Sequence, residues 1–397
     1  MPHTLSTTVK NYAIPTALIV VGIVAFAAGW YPWVEIKQML TRVGPVIGFA
    51  TAMTIVATLA DAGGVFSALA RALTRAGASD PRVFYLLFCA VTIVSTVFFS
   101  LDTTVVLMVP IAVATALRLG ISARPFAYAT IWLANTASLL LPISNLTNLL
   151  VADQHADTSP LQFAAQMWPA WIVSCIVPAT ILFLLEYRTL HPREQSVDSD
   201  AQKQIKKMEQ QEGHRSVIVL CTGVLVILCA ALVLGATPWV VATIAAFVLA
   251  AIVWGAGSTD FPTHVIPVKL ILQMLGIFLT TGALISVGGD VINNFAPTFP
   301  GFLGEQAKAL QGLIGANLVN NLPAYLALEN TVSDPHSLFT LLIGVNVGPL
   351  ITPWASLATL LWAQRLQADG QQVHWMRFVL LGLLIAPLTT VLAVAVL

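Results

Sequence analysis

Apolar runs long enough to cross a bilayer recur along the whole chain, and no other feature limits its fold as much. They lie at about 12–31, 43–60, 126–150, 169–187, 217–235, 237–256, 269–288, 338–362 and 377–396. A helix needs about 20 apolar residues to traverse the hydrocarbon core. Lipid offers the backbone no hydrogen bonds, so only helices or a closed barrel can span it. Barrel strands alternate apolar and polar residues, whereas these runs are continuous. The expectation is an all-α polytopic membrane protein with about nine spanning helices. Only 9% of the 397 residues are charged, against roughly 25% in soluble domains. So few charges cannot cover a soluble surface, which excludes a cytosolic enzyme, a nucleic-acid binder and a disordered chain. The first run, Tyr12 to Trp30, lacks a small-residue cleavage site and reads as a retained helix. Cys89, Cys175, Cys221 and Cys229 all sit in apolar runs without a CxxC pair. They read as small core residues, with no disulfide framework, metal site or cofactor implied.

Two further apolar stretches are broken in the middle. One, at about 83–118, breaks at Ser100-Leu101-Asp102-Thr103-Thr104; the other, at about 306–332, breaks between Asn317 and Pro323. Each is short for two full crossings, and each reads as a re-entrant helical hairpin. Irregular backbone at membrane depth survives where protein or a watery cavity satisfies it. The long polar stretch, at 188–216, reads as a solvated charged linker. It separates a first repeat, 1–187, from a second, 217–397.

Charge orients this arrangement. With the linker in the cytoplasm, Lys10, Arg71, Arg75, Arg82, Arg118, Arg124, six linker cations, Lys269, Arg365 and Arg377 share its side. Only Lys37, Arg42 and Lys308 lie on the other. This positive-inside bias puts the N-terminus in the cytoplasm and the C-terminus outside. The two hairpins then enter from opposite sides.

An internal repeat accompanies this pattern. The segment Ala134 to Leu150 can be laid over Val345 to Leu361, so that Asn135 meets Asn346, Pro142 meets Pro353 and Leu146 meets Leu357. Upstream, Asp61-Ala62-Gly63-Gly64 resembles Ser286-Val287-Gly288-Gly289. Each half reads as helix, Gly-Gly turn, broken hairpin and a helix interrupted at proline. Inverted repeats with interrupted helices at matching positions mark a secondary transporter.

Polar residues gather at these breaks. The hairpin tips carry Ser100, Asp102, Thr103 and Thr104, then Asn317, Asn320 and Asn321; the interrupted helices carry Asn135, Ser144, Asn145, Thr147 and Asn148, then Asn346, Ser356 and Thr359. Proline frees carbonyls near it. Freed carbonyls and amides can coordinate a small cation or bond a polar solute, and half-helix N-termini offer N–H groups to an anion or hydroxyl. The same residue types also join membrane helices, at about 0.6 kcal/mol each. Asp102 is the one acidic residue deep in an apolar stretch. An intramembrane carboxyl points to proton carriage or cation coordination, unless the tip reaches water. Asp61 is a second candidate for proton coupling, with capping of the next helix as the alternative. No Lys or Arg falls in the clusters, and HExxH, GxSxG and Walker A motifs are absent. Proteolysis and ATP hydrolysis therefore have no support, and any ATP-driven step would need a separate ATPase subunit.

These residues resemble those of the arsenical pump membrane protein family (ArsB), within the ion transporter superfamily that includes dicarboxylate symporters. The resemblance rests on Asp102-Thr103 before Pro110-Ile111, on Asn135-Thr136-Ala137-Ser138-Leu139 running into Ser144-Asn145-Leu146, and on Asn320-Asn321-Leu322-Pro323. It rests also on Gly348-Pro349-Leu350-Ile351-Thr352-Pro353 with Ser356 to Trp362. It implies two inverted repeats, each with a scaffold part and a transport part holding the hairpin. It further implies inner-membrane efflux of arsenite or antimonite in exchange for protons, and a homodimer with an elevator-like motion. The chain departs from the family pattern where Leu101, Asn135, Asn346 and Leu350 replace Asn, Asp, Asp and Lys. With those titratable groups gone, proton coupling falls mainly to Asp102. Arsenious acid is a neutral trihydroxide near pH 7, which amides, hydroxyls and backbone groups can bind without an arginine. A sodium-coupled transporter of a small carboxylate or inorganic anion on the same fold is the alternative; a channel or passive partner of an ATPase is a third.

Overall fold

The computed structural model describes residues 2–77, 80–154, 158–190, 215–256, 265–332 and 334–397. Most of the polar linker, including its run Gln202 to Lys207, lies outside them. Among the described residues all regular structure is helical. The first half runs α1 (Pro2–Ala27), α2 (Trp33–Ala62), α3 (Val65–Gly77), α4 (Pro81–Phe99), α5 (Leu101–Arg118), α6 (Arg124–Ala137), α7 (Leu146–Gln154) and α8 (Pro160–Glu186). After the linker come α9 (Arg215–Val233), α10 (Pro238–Gly255), α11 (Val268–Asn293), α12 (Gly301–Val319), α13 (Asn321–Leu328), α14 (Pro335–Val347), α15 (Leu357–Ala368) and α16 (Trp375–Val394). Among the described residues seven helices are long and apolar enough to cross a membrane, and Ala13–Ala27 and Leu101–Leu117 are shorter apolar helices. Large apolar side chains such as Phe247 and Trp254 lie on the outside, three-quarters exposed, where lipid would receive them. The chain is a multi-pass membrane protein.

Local chemistry explains where the elements start. Asp80 accepts a hydrogen bond from the Arg82 N–H at 2.8 Å, with Pro81 opening α4. Ser159 and Gln162 form a capping box at the start of α8, satisfying donors that a helix end leaves open. Asp334 caps α14 and Ser356 caps α15. Gly64 turns the chain after α2 at φ 80°. The corresponding Gly288-Gly289 makes no turn and lies inside α11. Glycine permits the left-handed conformation without imposing it, so the Gly-Gly turn expected in both halves forms only in the first.

The runs at 126–150 and 338–362 are each divided into two helices, as the prolines suggest. The breaks correspond: Leu146 opens α7 and Leu357 opens α15, and Asn135 and Asn346 sit in the last turns of α6 and α14. The hairpins differ from the expectation in length. The arms of the first, α4 and α5, have 19 and 18 residues, roughly 28 Å each at 1.5 Å per residue. Either arm nearly matches the membrane core, so length alone does not halt it midway. The arms of the second, α12 and α13, have 19 and 8 residues.

Packing divides the molecule into a central bundle and flanking helices. One hydrophobic core joins α4–α8 with α12–α16. A second joins most of α2 with α3, α9 and α10 and takes in Val97, Leu107, Leu141 and Ile143 from the bundle side, and α1 lies along α11. Within the bundle, α12 meets α14, and α16 meets the turn just after α14, backbone to backbone. A Cβ on Gly344 would lie 1.9 Å from the Ala309 carbonyl, and one on Gly382 would lie 1.9 Å from that of Leu350. Small residues allow this approach, which drives helix association in lipid. At one end of the bundle Glu186 is fully buried and bonded to Arg124 at 2.8 Å and to Arg377. That carboxylate ties α8 to the first turns of α6 and α16.

Candidate functional site

The four polar clusters meet in the interior. Both hairpin tips turn through a residue with positive φ, Ser100 at 75° and Asn320 at 119°. Such a conformation is strained for any residue but glycine, and here it lets a helix reverse within one residue. The tips sit beside the breaks of the interrupted helices. A small cavity of about 30 Å³ lies among Asp102, Asn145, Asn320, Asn321 and Ser356, closed on one side by Met274 and Ile277 of α11. Each of the four clusters lends at least one polar residue to it.

A second, larger cavity of about 870 Å³ opens from this point toward one end of the molecule. It separates the central bundle from the flanking helices. Thr54, Thr58 and Asp61 present one face of α2 to it, and Thr103, Val106, Pro110 and Ala114 present one face of α5. Residues three and four apart share a helix face, which explains this spacing. Leu357, Leu361, Gln364 and Arg365 line the side made by α15, and Lys269 and Gln273 the side made by α11. Asp102 and Leu357 border both cavities. Asp102 Oδ1 is buried with no hydrogen-bond partner. A carboxylate has room for about four hydrogen bonds, so the side chain at the meeting point of the cavities has bonding capacity to spare.

Other polar residues of the clusters are committed to holding the breaks together. Asn346 Oδ1 accepts from Asn145 Nδ2 at 3.0 Å and from Thr147 Oγ1 at 2.8 Å, and its Nδ2 donates to Asn148 Oδ1 at 2.9 Å. One amide thereby joins the two interrupted helices. A carboxylate could not supply the donor, so the Asn at this position suits its network. Asn148 also donates to the carbonyls of Ser138 and Leu141, at 2.7 and 2.9 Å. Ser144 Oγ donates to the Val97 carbonyl at 2.7 Å, tying the first break to α4. Asn317 donates to the Gly348 carbonyl at 2.9 Å and accepts from Thr352 N–H at 3.0 Å and Thr352 Oγ1 at 2.8 Å. Thr359 closes the cap of α15 with Ser356. Asn135 is fully buried, with its Nδ2 on the Ile131 carbonyl and its Oδ1 unpartnered.

The tertiary structure thus sorts the sequence candidates. Asp102, Asn145, Asn320, Asn321 and Ser356 border the small cavity, while Asp61 and Thr103 line the large one. Asn135, Ser144, Asn148, Asn317, Asn346 and Thr359 border neither and stand behind them. Sequence reasoning passed over Lys269, Arg365 and Asp369, which line the large cavity. Arg365 lies 3.9 Å from Asp369 at the end of α15. They lie at the ends of helices and apolar runs; for Arg365 and Asp369 the signal was spacing, four and eight residues after Leu361 on one helix face.

A buried polar junction between two broken helices and two hairpin tips, fed by a deep cavity, defines a membrane transporter. Residues 7–359 match the citrate transporter family, CitMHS; the chain belongs to that family. It is similar to an arsenical pump membrane protein of Escherichia coli, 27% identical over 82% of this chain and 79% of the relative. A second protein of that name from Escherichia coli is 26% identical, over 92% of this chain and 89% of the relative. A putative arsenical pump membrane protein of Bacillus subtilis is 22% identical over 96% and 92%.

Proposed function

We propose that this transporter exports arsenite or antimonite across the inner membrane in exchange for protons. The observation that carries this reading is the junction itself, one unpartnered carboxyl among neutral amides and hydroxyls. Such a lining suits a neutral trihydroxide, and Asp102 supplies a group able to bind a proton in one half of the cycle and release it in the other. The names of the relatives point to the same cargo. A cavity of about 30 Å³ holds a water or two, so cargo binds where it meets the larger cavity, or as the tips part.

The element order supports two inverted repeats. Two long helices, a hairpin, an interrupted helix and a long helix occur at α1–α8 and again at α10–α16, with α3 an addition found only in the first. The pairing of α1 with α11 and of α2 with α10 is the exchange such symmetry would generate. This places α9 outside the second repeat. In this reading the central bundle carries the re-entrant tips and moves against the flanking helices as a scaffold. With the N-terminus in the cytoplasm and the C-terminus outside, the large cavity faces the cytoplasm, where an exporter loads. A homodimer follows from superfamily kinship, and a separate ATPase from neither the sequence nor the geometry.

Arsenite uptake into everted membrane vesicles tests the proposal. Uptake that stops when an uncoupler collapses the proton gradient is the expected outcome; uptake indifferent to the gradient would remove proton exchange, and no uptake would remove the cargo.

A second reading has its own observation. Lys269 and Arg365 line the large cavity, and the family is described by citrate. A sodium-coupled transporter of a small carboxylate or inorganic anion would use those cations to draw its cargo in. It requires sodium-dependent anion flux that falls when Lys269 and Arg365 are changed to Ala.

A further inference from the structure

The large cavity parts α2 from the central bundle at one end of that helix, near Thr54, Thr58 and Asp61. At the other end α2 is closed onto the bundle. Val43 and Val46 belong to the core of the bundle, whereas Phe49 to Ala60 belong to the core shared with α9 and α10. The closed end is held by an ion pair. Arg42 of α2 grips Glu329 with two parallel bonds, Nη1 to Oε1 at 2.6 Å and Nη2 to Oε2 at 2.8 Å. Glu329 follows directly on α13, at the end of the second hairpin. Gln154, the last residue of α7, donates to Glu329 Oε2 at 2.7 Å, and Arg42 Nη2 donates to the Leu150 carbonyl at 3.4 Å. Asp153 stands 3.7 Å from Arg42 Nε. The Glu329 side chain is only 6% exposed and that of Arg42 27%.

This pair differs from a surface salt bridge, which holds little because water competes for both ions. Its two-pronged geometry is the strong form of the contact. It also joins α2 to the bundle at the end opposite the large cavity. Gln154 and Glu329 both belong to the bundle, while Arg42 belongs to the helix on which the cavity opens. If the bundle moved away, Glu329 would keep its bond from Gln154 and lose only Arg42.

We infer that the Arg42–Glu329 pair is the latch of the closed side: it holds that side shut while the large cavity is open, and it parts when the cavity closes. The inference rests on the transporter reading, in which the two sides open in turn, but not on the identity of the cargo. Lys37 and Asn330 are exposed and flank the pair on α2 and on the end of the second hairpin. Spin labels at Lys37→Cys and Asn330→Cys, with the four native cysteines changed to Ser, would report their separation by pulsed dipolar spectroscopy in proteoliposomes. A single short-distance population is expected with the latch intact. A second, longer population is expected in R42M and in E329Q. The same distribution in all three proteins would overturn the latch, whatever the protein transports. A second arm keeps Arg42 and Glu329 in place. A short, reducible cross-linker between the same two cysteines should abolish arsenite uptake into everted vesicles, and reductant should restore it. Full uptake by cross-linked protein would overturn the latch. Absent uptake before cross-linking would instead count against arsenite as cargo and leave the distance measurement to decide the latch.

Discussion

The two hairpin tips share a backbone and differ in what their side chains are free to do. Each reverses through one residue at positive φ, Ser100 or Asn320. The second tip is pinned. Asn317 makes three bonds to the break after α14, Asn320 donates to the Trp354 carbonyl at 2.9 Å, and the Asn321 N–H donates to the Ala355 carbonyl at 2.8 Å. The first tip is fixed to its own break by Ser144 on Val97. Its Ser100 and Thr104 bond within the hairpin, to Thr103 and Ser95, and Asp102 Oδ1 bonds to nothing. Amides that donate and accept suit a rigid joint; a carboxyl left unpartnered at the meeting of two cavities suits a group that must change its state. In the proposed function this difference gives construction to one tip and chemistry to the other.

Breaking the chemical tip should have the largest effect. Asp102→Asn is expected to reduce proton-driven arsenite uptake in everted vesicles to the level of membranes lacking the protein, with the purified protein still folded and binding cargo. Unchanged pumping would mean that the two tips do not divide the labour in this way.

Asn317→Ala should damage the other tip in the opposite manner. Three interhelical bonds at roughly 0.6 kcal/mol apiece give about 2 kcal/mol of lost stability, read as a lower unfolding midpoint in detergent. Asn346→Ala removes three comparable bonds and should cost about the same, roughly 2 kcal/mol. Neither loss should spare binding while abolishing coupling; if one does, that amide is more than a joint.

Asn321→Ala sharpens the comparison, because Asn321 belongs to the pinned tip yet borders the small cavity. About a tenfold weaker affinity for arsenite is expected, or about 1.4 kcal/mol, with stability near that of the parent protein. Normal affinity would move the cargo away from the second tip. The smallest effect should come from Ser144→Ala, one bond at roughly 0.6 kcal/mol. A loss as large as that of Asn317→Ala would show that the first tip is pinned as firmly as the second.

Much of the fold was legible because lipid enforces it. Long apolar runs had to become helices, and two of them break near Pro142 and Pro353, although Pro110, Pro169, Pro178 and Pro387 lie inside unbroken helices. The matched Asn, Pro and Leu positions of the two halves fall at matched places in the structure. Length was a poorer guide: arms of 19 and 18 residues in the first hairpin are nearly long enough to cross. Gly288-Gly289 shows the same limit, since a turn needs more than residues able to form one.

Sequence by itself determined the polar inventory of the interior, because an apolar run makes each Asp or Asn conspicuous and costly to bury. It did not determine which of them are joints and which face open space. Asn145, just before α7, and Asn148, inside it, stand three residues apart, and only the first borders the small cavity. Both bond the same Asn346, 201 and 198 residues away, and Asn148 is further tied to the carbonyls of Ser138 and Leu141; how the breaks pack, and not residue type, sets which amide meets the cavity. The same holds for Arg42 and Glu329, separated by 287 residues and brought together only when α2 closes on the bundle. Local chemistry decides what a residue can bond; the packing of distant helices decides whether that capacity is spent on the fold or left for the cargo.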